Sequence, residues 1–90
     1  MRTIRYNENA LRDFQDGLDY YDDISVSLAD RFEEDFWKTI ERIKSDPFHF
    51  QQRYSEVRIA FLNQFPFAVH FVVKDEIIEV ITVLHSKRLY

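Results

Sequence analysis

The apolar residues of this chain change their spacing once, at "SDP" (Ser45 to Pro47), and that switch constrains the fold more than any other feature. Before it they recur every three or four residues, the interval that lines up one stripe of a helix. After it they alternate, which sends successive side chains to opposite faces of a strand. Pro47 pushes the residue before it out of the helical region and so ends the first regime.

Within the helical regime, "TIRY" (Thr3 to Tyr6) is a short β-rich opener and Asn7 a good N-cap. Leu11, Phe14, Leu18 and Tyr21 then mark one helix face, with Asp13, Asp16, Asp19 and Asp23 read as a solvated stripe opposite. A second helix is predicted to start at Ser25 or Ser27, the latter with Asp30 as an approximate capping box. Its stripe is Ala29, Phe32, Phe36, Ile40 and Ile43, with Trp37 beside it. Only Asp22 to Ile24 or so separate the two helices, which predicts an antiparallel hairpin sharing one apolar face.

The second regime holds three strands, "EVRIAFL", "FAVHFVV" and "IIEVITVLH", with turns around Asn63-Gln64 and Asp75-Glu76. The predicted fold is therefore α+β in the order β-α-α-β-β-β, a helical hairpin on one face of a small, mainly antiparallel sheet. No linker or repeat divides residues 1–90, so one domain is expected. Aligning the aromatic rows places Phe61, Phe67, Val69, Phe71, Val80 and Leu84 under the helices. The opposite face then collects Arg58, Ala60, Ala68, His70, Glu79, Ile81, Val83 and His85. A one-sided cover leaves that face, or a sheet edge, for a partner.

Composition narrows the function. Nine Phe, five Tyr and one Trp provide a large core for 90 residues. Cysteine is absent, so disulfides and thiolate metal sites are excluded, and His49, His70 and His85 lack metal-ligand spacing; neither metal nor cofactor is expected. "MRTIRYNENA" turns polar at once, unlike a secretory leader, and the longest clean apolar run is "VITVL", so a cytoplasmic protein that does not enter membranes is expected. The formal charge of -4 argues against general or sequence-specific nucleic-acid binding. The acid is concentrated early: residues 1–47 hold seven Lys/Arg against twelve Asp/Glu, and residues 48–90 five against four.

"LADRF", "DPFHF", "EVRIAFLNQFPFAVHFVV" and "IEVITVLHSKR" together resemble the RelE/ParE superfamily of type II toxins, from Ala10 to Arg88. The resemblance implies a toxin silenced by a cognate antitoxin whose flexible tail wraps it. RelE-like members cut messenger RNA in the ribosome; ParE-like members block DNA gyrase by binding it. Cleavage through a 2'-hydroxyl needs a base, an acid and cations for the phosphate. Phe67 stands where the nucleases resemble one another in having an arginine. "FPF" and "VLHSKR" look closer to the ParE branch, although Leu89 replaces the usual proline.

The expected function is accordingly a growth-arresting, ParE-like gyrase inhibitor of the kind found in plasmid stabilization systems, acting through protein contacts. The alternatives are a ribosome-dependent endoribonuclease using Arg58, His85, Arg88 and Tyr90, or an inactive homologue kept as an interaction module. Partner contacts are assigned to Arg58, His85, Lys87 and Arg88. Arg58, inside an apolar strand, is expected either to pair with Glu56 or Glu79 or to be held for a partner. His70, in mid-strand, is read as structural.

Overall fold

The computed structural model describes residues 2–86. The chain runs β1 (Thr3–Tyr6), α1 (Glu8–Ile24), α2 (Val26–Ser45), a 3-10 turn (Pro47–His49), β2 (Gln52–Tyr54), β3 (Val57–Phe61), β4 (Phe67–Lys74) and β5 (Ile77–His85). Capping residues set the helix limits. Asn7 accepts the backbone N–H of Ala10 through its side chain at 2.9 Å. Ser25 serves both helices at once: its N–H donates to Tyr21 O at the end of α1, while its hydroxyl accepts the N–H of Leu28 at the start of α2. One residue thus makes the whole hairpin turn, and Ser25, not Ser27, is the N-cap. α2 stops at Ser45, as Pro47 predicts.

The sheet order is β1-β5-β4-β3-β2. β1 lies parallel to β5 and every other neighbour is antiparallel. The predicted architecture is therefore present with one addition, the three-residue strand β2 at the far edge. Its brevity and exposed "QRY" give no alternation to detect.

Register corrects part of the predicted face assignment. Residues directly opposite share a face, and Ala60 pairs with Val69 while Arg58 pairs with Phe71. Phe71 and Val69 are in the core, so Ala60 and Arg58 lie on the helix side and Phe61 points away, 41% exposed. On β5 the register slips between the partners of His70 and Phe71, leaving Ile81 as an extra residue. Beyond this bulge the alternation inverts: Val83, not Leu84, enters the core, and the His85 ring meets that of Phe67. Phe67, Val69, Phe71 and Val80 lie as predicted.

Aromatic side chains join the two layers. Phe32 of α2 is fully buried, with ring centroids 5.8 Å from Phe14, 5.2 Å from Tyr21, 5.5 Å from Phe65 and 5.2 Å from Phe67. The helices approach closely because Gly17 faces this ring: a Cβ there would lie 2.8 Å from Phe32 Cζ. Glycine is thus required for packing, not for an unusual backbone.

Candidate partner-binding site

The site follows from the shortness of β1. Its four residues cover only Ile77 to Val80 of β5. At Asn7, whose N–H donates to Val80 O at 3.1 Å, the chain leaves the sheet and becomes α1. Among the described residues no strand pairs with Ile81 to His85 on that side. Asp13 of α1 takes part of the missing strand's place: its carboxylate accepts the N–H of Val83 at 3.0 Å and the hydroxyl of Thr82. This aspartate belongs to the stripe predicted to be solvated. Nothing in "RDFQDGLDYYDD" separates it from the other three; only the path of β5 does.

Further along α1 the helix and the strand edge diverge, opening a cleft of ≈ 560 Å³. Tyr20, Tyr21 and Ile24 line it on the α1 side together with Asp13, Asp16 and Gly17, with Phe67 and Pro66 as the floor and Val83 to His85 on the β5 side. Tyr20 and Ile24 are 62% and 58% exposed, and Val26 across the hairpin turn is exposed too. Burial raises the Tyr21 phenol above its ordinary value, with Tyr20 adding to the effect, so it stays a neutral hydroxyl at the cleft wall. An apolar cleft beside a strand edge suits an extended or helical segment of another protein. Tyr20 and Ile24 escaped the sequence reading because they lie off the core stripe that identifies α1.

Of the residues singled out from sequence, His85 stands on the cleft wall. Arg58 is elsewhere. It registers with Phe71 and His85 with Phe67, so the two are four positions apart along β4, roughly 13 Å, and on opposite flanks of that strand. Phe67, half-buried, packs against Phe32 and His85. Lys87, Arg88 and Tyr90 lie outside the described residues. Arg58 pairs with neither Glu56 nor Glu79; it donates to Phe50 O at 2.6 Å, and its guanidinium carbon is 5.0 Å from the centroid of the Phe48 ring. His70 is structural in its contacts, 2% exposed, with Nδ1 sharing a 2.9 Å hydrogen bond with the Tyr54 hydroxyl. No group of three or more His, Cys, Asp or Glu among the described residues could hold a metal ion, and none of their helices is long and apolar enough to cross a membrane.

The described residues form a two-helix hairpin on a five-stranded mixed sheet, with the edge of β5 left open beyond the end of β1. The family model for the ParE toxin of type II toxin-antitoxin systems matches residues 4–90, and the chain belongs to that family. No curated protein matches its sequence. Among solved structures it is similar to a chain of the chromosomal ParDE toxin-antitoxin system from P. aeruginosa, with a TM-score of 0.81 at 18% identity, over 94% of this chain and 96% of that one. At that identity the likeness speaks for the fold.

Proposed function

We propose that this ParE-family toxin arrests growth by binding DNA gyrase in the cytoplasm, without catalysing a reaction, and that a cognate antitoxin neutralises it by occupying the cleft between α1 and the free edge of β5. The observation that carries this reading is the family match over residues 4–90, joined to a site made of apolar walls and a strand edge. The nuclease alternative needs Arg58 and His85 at one phosphate, with a cation where Phe67 stands. Those two residues are on opposite flanks of β4, and Phe67 is packed into the floor of the cleft.

His85, as a cleft-wall residue, is assigned to antitoxin contact, and Arg58 to a separate contact surface. The test is purified gyrase. Adding the toxin should inhibit supercoiling and accumulate cleaved complexes, and prior incubation with the antitoxin should prevent both. Growth arrest accompanied by unaffected gyrase and by messenger cleavage at the ribosomal A site would replace this reading with the nuclease one. Absence of growth arrest on induction would leave an inactive interaction module.

A further inference from the structure

Two arginines share one exposed ring at the end of the molecule away from the cleft. The Phe48 ring, 53% exposed, has the guanidinium carbons of Arg2 and Arg58 each 5.0 Å from its centroid. The two carbons are therefore no farther apart than twice that distance. Arg2 immediately precedes β1, Arg58 lies in β3, and the 3-10 turn brings the Phe48 ring within reach of both.

Among the described residues neither cation has a carboxylate within ion-pair distance. Lys38 pairs with Glu34 and Lys44 with Glu41, both on α2 and away from these two arginines. Arg58 spends one donor on Phe50 O, and Arg2 Nε is buried with no acceptor. A guanidinium carries five donors in a planar fork, and both arginines are only half-buried, so their forks are open to an approaching acceptor. The chain has sixteen carboxylate residues, yet none is placed within ion-pair distance of either arginine.

We infer that Arg2, Phe48 and Arg58 form a receptor for a carboxylate side chain flanked by apolar residues on a protein partner. The guanidinium fork matches a carboxylate in two parallel hydrogen bonds, and the ring supplies apolar contact beside it. Arginine and exposed aromatic residues are the types that dominate interface energetics. The net charge of -4 opposes a polyanion approaching from a distance, whereas one carboxylate in a mixed segment responds to the local pair of cations. Arg2 precedes the register of Thr3 with Ile77, at the start of β5, and the cleft lies at the end of that strand. The receptor and the cleft are thus separate surfaces, and this inference stands whether or not gyrase is the target.

The test uses the full chain, 15N-labelled, and follows the arginine Nε–Hε signals during titration with the peptide acetyl-Leu-Glu-Leu-Glu-amide, its Gln-for-Glu analogue, and inorganic phosphate. The expected result is saturable shifts of the Arg2 and Arg58 signals with the Glu peptide. Affinity should drop about tenfold with the Gln analogue or in Arg2→Gln. Phe48→Leu, which keeps apolar volume, should weaken binding about threefold, with backbone amides remote from the site unchanged. No saturable shift up to about 10 mM peptide would overturn the inference. So would equal binding of the Gln analogue, undiminished affinity in both variants, or binding of phosphate without the peptide.

Discussion

Asp35 sits on α2 with only 5% of its surface exposed, and its carboxylate accepts three consecutive backbone N–H groups from the β3–β4 turn: Asn63 at 3.1 Å, Gln64 at 2.8 Å and Phe65 at 3.2 Å. Asp35→Ala would leave all three without a partner and is expected to lower stability by about 3 kcal/mol, read as a lower urea midpoint with an unchanged slope. His70 gives a second measurable effect. Burial lowers its pKa from the ordinary 6.5, against a smaller opposing effect of the Asp13 charge. As pH falls below 6.5 the unfolded chain takes up a proton that the folded chain refuses, so stability present above that value is lost down to the lowered folded pKa. Comparing urea midpoints at about pH 7.5 and about pH 5.5 should show a larger drop for the native chain than for His70→Gln. Neither set of partners was legible in the sequence. Asp35 looks like any acidic residue between Glu34 and Phe36, because its partners lie about thirty positions away. His70 was rightly read as structural, but its bond to Tyr54 depends on β2, a strand too short to announce itself.

Elements were far easier to read than residues, because they rest on local signals. Asn7, Ser25 and Pro47 act through neighbours within four positions, and the apolar stripes repeat often enough to outweigh a stray residue. Strand faces failed in "VRIAF", where Arg58 makes the inward phase read as the outward one, and where the bulge at Ile81 inverted the order beyond it. Arg58 is tolerated on the helix side because Phe48 of the 3-10 turn presents its ring and Phe50, just after the turn, its carbonyl, a tertiary arrangement with no local signature. Gly17 shows where helix propensity and packing oppose each other. Alanine would favour α1 by about 1 kcal/mol, but crowding the Phe32 ring costs about 1–3 kcal/mol. Gly17→Ala is therefore expected to lower the Tm by several degrees. Adding Phe32→Leu should recover part of the Gly17→Ala loss, so that the double variant is less destabilised than the two single effects together imply; strict additivity would contradict the packing account.

At the scale of the whole molecule, the cleft and the arginine pair occupy different ends of β5, so they can be disabled independently. Ile24→Glu changes an exposed cleft residue and should leave thermal stability within about 0.5 kcal/mol of the native chain. It is expected to weaken antitoxin binding at least about tenfold by calorimetry while leaving the Arg2 and Arg58 titration unaltered. Unchanged antitoxin affinity in Ile24→Glu would move the docking surface away from the cleft. The position of β5 also bears on when the fold can be completed during synthesis. The strand seated between β1 and β4 is the last of the five to be translated, and β1, the first, has no other neighbour among the described residues. Until residue 85 has left the ribosome, β1 has nothing to pair with and β4 keeps an open side, so the sheet cannot close around its core. The final fold and the cleft, lined on one side by Val83 to His85, accordingly come into being together.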